Sequence, residues 1–146
     1  MSEEIALTET PEPAAREAIL RDLIAFNTGQ AGPQDWRSLA MLVRNAQGEV
    51  TGGLWTRTAW GWMYVELLFL PEDRRGSGLG SRLMRRAEDE AIRRGCRHAW
   101  LDTFSFQARG FYQKLGYRVF GTLDDYPAGH SRFFMSKSLT VSTEGA

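Results

Sequence analysis

The feature that most constrains this chain is an almost continuous apolar run, residues 62–70, which ends at Pro71 and passes through Arg74, Arg75 and Gly76-Ser77-Gly78-Leu79-Gly80 into a helical pattern. A run of that length suits a central strand covered on both faces. Behind the glycines, Leu79, Leu83, Met84, Ala87, Ala91 and Ile92 share one helical face, and Gly95 ends the pattern after about Arg94. Opposite that stripe, Arg85 with Asp89, Arg86 with Glu90, Asp89 with Arg93 and Glu90 with Arg94 form i,i+4 pairs of opposite sign. A strand that turns through glycines into a helix is a device for gripping phosphate, because the backbone can approach closely and the first-turn N–H groups point at the anion. The loop lacks the Gly-Lys-Ser/Thr ending of a P-loop, and Ser81 stands where a dinucleotide fingerprint needs its third glycine. What remains is Arg75-x-x-Gly78-x-Gly80, with Arg74 and Arg82 adding positive charge for a pyrophosphate or 3′-phosphate.

The rest of the chain reads as elements around that unit. Residues 5–8 fit a first strand, and residues 14–26 a helix behind Pro11 and Pro13, followed by a loop through Pro33. Residues 39–44 and 49–56 flank a polar turn at Asn45-Ala46-Gln47-Gly48 and predict an antiparallel pair. After the long helix come a short strand at 99–103, a short helix at 107–115 ended by Gly116, and strands at 117–123 and 132–139. This order predicts an α/β (mixed α+β) domain, a mixed sheet with helices on both faces, spanning residues 1–141 with a loose tail at 142–146. At 146 residues, with 42% hydrophobic residues, one sizeable core is expected.

Charge narrows the partners. Eighteen basic residues balance eighteen acidic ones, so nothing draws the chain globally to nucleic acid or an anionic membrane. An acidic N-terminus without an apolar segment, and no uncharged apolar run near about 18 residues, predict a soluble, cytoplasmic protein. The single cysteine, Cys96, reads as a small buried hydrophobe, and with only His98 and His130 beside it no metal cluster is expected.

Residues 68–80 resemble motif A of the GNAT superfamily of N-acetyltransferases, whose pattern is Arg/Gln-x-x-Gly-x-Gly/Ala after a central strand. Ala108-Arg109-Gly110-Phe111-Tyr112-Gln113-Lys114-Leu115-Gly116-Tyr117 resembles the superfamily's motif B helix, in the right order downstream. The resemblance implies a mostly antiparallel sheet splayed between two central strands, and acetyl-CoA as acyl donor with no metal. It places the pyrophosphate on Arg75, Gly76, Ser77, Gly78, Leu79 and Gly80, with Ser81 at the helix start. The pantetheine arm would pair with backbone groups of Leu68, Phe69 and Leu70 like an added strand. Motif B brings Ala108, Phe111, Tyr112 and Lys114 to the donor site. Many relatives carry an Asn where this chain has Ser105, which leaves Gln107 as a substitute contact to the pantetheine amide.

Transfer to an amine needs a neutral nitrogen, a polarised carbonyl and a proton for the thiolate. Tyr112 matches the motif B tyrosine that often sits by the thioester sulfur, and a backbone N–H within residues 68–70 would bind the carbonyl oxygen. Glu66 is the candidate base: alternation puts it on one face with Trp62, Tyr64, Leu68 and Leu70, among apolar groups expected to raise its pKa. An ammonium anchor or a structural ion pair are the other readings of Glu66. His130, in a loop between the last two strands, is either a competing base or a solvated turn residue. Trp55, Trp62, Tyr64 and Phe104 are candidates to wall an acceptor site for a cationic or ring-bearing amine.

The expected activity is direct N-acetylation of a small-molecule primary amine, since neither motif holds a cysteine to carry an acetyl group. A protein or peptide acceptor, and a non-catalytic acyl-CoA sensor, are the alternatives. A homodimer is compatible with the resemblance, through the last strands or the tryptophan-bearing surface.

Overall fold

The computed structural model describes residues 3–140, so the expected tail at 142–146 lies outside the described residues. Two compact units make up the chain, residues 1–34 and 35–146.

The first unit carries helix α1, Pro13–Ala31. Pro13 starts it, where a missing N–H costs nothing, and Gly32 stops it by donating its N–H to the Thr28 carbonyl. It runs five residues past the expected end, with the Thr28 hydroxyl bonded back to the Ile24 carbonyl at 2.8 Å. The strand expected at 5–8 does not form: Ile5 and Leu7 are 95% and 97% exposed, and among the described residues no neighbouring strand pairs with them.

The second unit is a six-stranded sheet with two helices. Its strands are β1 (Arg37–Arg44), β2 (Val50–Ala59), β3 (Trp62–Phe69), β4 (His98–Phe104), β5 (Arg118–Asp124) and β6 (Ser131–Ser138), in the order β1-β2-β3-β4-β6-β5. Only β3 and β4 run parallel. β2 extends three residues beyond expectation and turns into β3 through Trp60 and Gly61, both at positive φ, which is the geometry a two-residue hairpin needs.

Helix α2 is Leu79–Arg93 and buries Leu83, Met84, Ala87, Glu88 and Ala91. Gly95 donates to the Ile92 carbonyl and Cys96 to that of Ala91, so the expected glycine stop is a Schellman cap. Of the predicted pairs only Glu90 with Arg94 appears among the described residues, and Glu90 is held more closely by Arg93. Helix α3, Arg109–Lys114, is shorter than the predicted 107–115, because Gln107 and Ala108 serve as its entry and Leu115 as its cap. Both helices join one core with Leu54, Met63, Val65, Ala99, Leu101, Tyr117 and Met135. The buried Cys96 belongs to it, and burial pushes its thiol up, as expected of an inert hydrophobe.

Candidate active site

The strand β3 is central, but its two halves differ. From Trp62 to Val65 it pairs in parallel with His98 to Leu101 of β4, and there the ladder ends. On its other edge β3 continues against β2, with a bulge: Thr56 pairs with Val65 and Trp55 with Leu67, leaving Glu66 as the extra residue. A bulge bends its strand and sharpens the twist, so β3 leaves β4 at this residue and a V-shaped cleft opens. Past Val65, the edge of β3 toward β4 makes no ladder, and its backbone groups are open to an added strand.

The bulge overturns two expectations. Strict alternation would put Glu66, Leu68 and Leu70 on one face, but the extra residue shifts the phase. Leu68 and Leu70 pack on the core with Met63 and Val65, while Glu66 is exposed rather than enclosed by apolar groups. Nor is the run covered on both faces, since Leu67 is 62% and Phe69 58% exposed.

The cleft measures about 590 Å³, and Glu66, Leu68, Phe69, Leu70, Arg75, Gln107, Ala108 and Tyr112 of the predicted residues line it. At its rear it reaches Arg75, which leads into the glycine loop, while residues 76–81 lie outside its lining. After a short 3-10 turn at Glu72–Arg74, the Arg75 Nε donates to the Leu70 carbonyl at 2.8 Å, pinning the loop to the end of β3. Gly78 caps α2 at φ 82°, a conformation that a side chain would strain. With the Gly78 carbonyl taking the N–H of Arg82, the preceding N–H groups lack helical partners and stand ready for an anion. Gly80 is needed for another reason: a Cβ there would lie 3.2 Å from the Phe111 ring. Phe111 therefore acts as packing between the loop helix and α3. Lys114 sits in the last turn of α3 and does not line the cleft.

Gln107 holds the front corner. Its Oε1 accepts the Phe104 N–H at 2.8 Å and the Thr103 hydroxyl at 3.2 Å, tying the end of β4 to the start of α3. Ser105 has its Oγ accepting the Ser131 N–H at 3.0 Å.

Tyr112 is 7% exposed and reaches the cleft from α3. Burial, with the negative charge of Asp102 second, pushes its phenol from 10.0 up to about 12, so it stays protonated at any working pH. Asp102 itself is a site residue that sequence reasoning missed. It lines the cleft one residue beyond Leu101 on β4, as Glu66 does one residue beyond Val65 on β3. Its Oδ1 receives both Nε and Nη2 of Arg132, at 2.9 and 2.8 Å. The only hint in sequence was an acid amid the apolar residues of a short strand.

The candidate acceptor residues are scattered. Phe104 stacks with Phe106 at 5.3 Å, and His130 meets Phe106 edge-on at 5.1 Å, forming an aromatic corner beside the cleft. His130 does not line the cleft; its Nδ1 lies 3.4 Å from Ser105 Oγ. Tyr64 stacks on Trp100 at 4.2 Å, and its phenol is pushed up by burial first and then by Asp102 and Glu66. Trp55 pairs in register with Leu67, a cleft residue, without lining the cleft itself. Trp62 lies four residues from Glu66, about 13 Å along the strand, where it stacks on His98 and lines a separate groove with Trp60, Trp100 and Phe120. Among the described residues no group of three or more His, Cys, Asp or Glu side chains could hold a metal ion, and no helix is long and apolar enough to cross a membrane.

A sequence profile described as the acetyltransferase (GNAT) family matches residues 6–117. Acetyltransferase Atu2258 of Agrobacterium fabrum is 39% identical over 131 residues, covering 90% of this chain and 96% of its own. Blasticidin-S acetyltransferase of Streptomyces morookaense is 44% identical over 94 residues, 64% of this chain and 69% of its own. Among solved structures, that of a putative acetyltransferase from Agrobacterium tumefaciens superposes with a TM-score of 0.88 at 38% identity, covering 93% of this chain and 99% of that one.

Proposed function

The chain belongs to the GNAT family of acetyltransferases, and from that premise we propose that it transfers an acetyl group from acetyl-CoA directly to a primary amine of a small molecule. The observation that carries this reading is the continuity of one cleft, from Arg75 at the entry to the glycine loop, along the open edge of β3, to Glu66 and Tyr112. Each stretch matches a different part of the donor. The unpartnered N–H groups behind Gly78 suit the pyrophosphate, with Arg74, Arg75 and Arg82 adding charge. The open backbone of residues 66–69 suits the amides of pantetheine, which bind as a short extra strand. The thioester then falls at the apex of the V.

Glu66 takes the ammonium proton of the acceptor, directly or through water, and the freed nitrogen lone pair bonds to the acetyl carbon. The C–S bond breaks with its electrons passing to sulfur, toward which Tyr112 donates a hydrogen bond, and the second proton of the attacking nitrogen passes through water to that thiolate, leaving the neutral amide and the CoA thiol. A phenol near 12 is a weaker acid than an alkyl thiol of about 8.5, so Tyr112 serves the leaving thiolate by stabilising it more than by surrendering its proton. Glu66 is favoured over His130 as base because Glu66 lines the cleft and His130 stands outside it.

For the acceptor, a small amine is supported by the Streptomyces relative, whose name gives blasticidin S as its substrate. The corner of Phe104, Phe106, Tyr126 and His130 offers stacking faces for a ring-bearing amine, and Glu66 offers it a countercharge. Calorimetric titration with acetyl-CoA and with CoA tests the donor site. Micromolar binding, about −8 kcal/mol, followed by thiol release with blasticidin S or other small cationic amines, is expected. Absence of binding at millimolar donor refutes the reading.

A further inference from the structure

The apolar stripe of α2 contains a charge that packing alone does not explain. Glu88 is buried at 7% exposure, in the same row as Met84 and Ala91. Its Oε2 accepts the hydroxyl of Tyr117 at 2.8 Å, and its Oε1 accepts Lys137 Nζ, also at 2.8 Å. Tyr117 is 1% exposed, and its ring meets that of Tyr112 edge-on at 6.1 Å, with the planes 74° apart. Its backbone N–H donates to the Tyr112 carbonyl at 3.0 Å. A second joint lies eight residues earlier on α2, where Gly80 lets the Phe111 ring sit against the helix. The segment that carries Tyr112 is thus held to the loop helix on both sides, at Phe111 and at Tyr117. Two turns of helix, about 12 Å, set the separation between these joints. A buried carboxylate is costly unless fully paired, and here one oxygen holds Tyr117 while the other is paired with Lys137 of β6.

We propose that Glu88 and Tyr117 are positioning residues for acetyl transfer: by tying the Tyr112 segment to α2, they hold the Tyr112 ring in the cleft at a set distance from the glycine loop. This rests on the reading of Tyr112 as the group that meets the thioester sulfur. Because the loop would anchor one end of the donor and Tyr112 meet the other, slack between them separates the phenol from the sulfur without weakening donor binding.

The test measures kcat and the KM for acetyl-CoA by thiol release, with blasticidin S as the acceptor, and CoA affinity by calorimetry. Tyr117→Phe removes the hydroxyl and keeps the ring; kcat is expected to fall about tenfold while donor KM and CoA affinity stay within about twofold. Glu88→Gln, which keeps an oxygen for the Tyr117 hydroxyl, is expected to retain about half of kcat or more. In a Tyr112→Phe background the Tyr117→Phe loss should shrink to less than about twofold, because the positioned hydroxyl is already gone. An undiminished Tyr117→Phe effect in that background, or no effect in either, overturns the proposal. If Tyr117→Phe does not fold, the Glu88→Leu/Lys137→Met pair, which removes both charges together, is read by the same criteria. Full kcat in Tyr112→Phe itself, or wild-type protein that binds CoA but releases no thiol, overturns the catalytic reading and this inference with it.

Discussion

Glu66 and Asp102 stand on opposite sides of the opening between β3 and β4, each the first residue beyond the last rung of the parallel ladder, Val65 with Leu101. Two carboxylates therefore flank the apex of the cleft, but they are not equivalent. Asp102 is bound by the Arg132 guanidinium through Oδ1, whereas Glu66 has no ion pair among the described residues. On the proposed reading, Glu66 is the carboxylate that meets the incoming ammonium.

Glu66→Gln is accordingly expected to lower kcat/KM by roughly 10²-fold or more, the usual contribution of a positioned base. The loss should be partly recovered at high pH, where more of the acceptor is already neutral. A pH–rate profile measured by thiol release checks this, and a profile parallel to wild type would refute the base assignment.

Removing the Tyr112 hydroxyl is expected to lower kcat with CoA affinity unchanged. Its ionisation also bears on stability. The folded pKa, about 12, lies above the ordinary 10.0, so the stabilisation is complete below pH 10 and is lost as pH rises toward 12. The loss is on the order of 3 kcal/mol for this group. Tyr117, pushed up by burial and then by the charge of Glu88, acts in the same direction. Thermal melts from pH 8 to 11 should show Tm falling from about pH 10, and less steeply in Tyr112→Phe.

In the glycine loop Gly78 and Gly80 fail differently. Gly78→Val forces a β-branched residue to φ 82°, so the N-terminus of α2 must shift and CoA binding should be lost while the sheet remains folded. Gly80→Ala keeps the backbone but presses on Phe111, whose nearest ring atom lies 3.2 Å from the new Cβ. A smaller effect is expected there, about 1–3 kcal/mol of stability. Circular dichroism and calorimetry with CoA separate the two.

Gln107→Leu removes the oxygen that holds both the Phe104 N–H and the Thr103 hydroxyl. Stability should drop by about 1–3 kcal/mol. Donor KM should also rise, since the cleft loses its front corner. Denaturant unfolding and steady-state kinetics measure the two effects, and an unchanged midpoint would refute the structural part.

Much of the fold was legible because its signals are local. The stripe on α2, the stop at Gly95 and the turn at Asn45 each depend on neighbours within a few residues, and each appears where the spacing predicts it. The strand expected at 5–8 failed because alternation shows only that residues could pair, and pairing needs a partner that no local pattern supplies. The glycine loop was legible for a similar reason: glycine positions and a helix start lie within one short stretch. Asp102 and Glu88 were not, because an acid on a strand or in a helix stripe acquires meaning only from what lies opposite, Arg132 thirty residues away for one and Tyr117 and Lys137 for the other.

The sequence by itself determined the order of helices and strands after residue 35, the glycine loop that opens α2, and the two motifs that mark the family, since these rest on backbone preference and short-range spacing. Tertiary structure alone decided where β3 leaves β4. One extra residue at Glu66, set by register against β2, turns that carboxylate out of the core, sends Leu68 and Leu70 into it, and opens the cleft between two strands that would otherwise have closed. A bulge is a property of two paired strands, so no single strand's pattern can contain it.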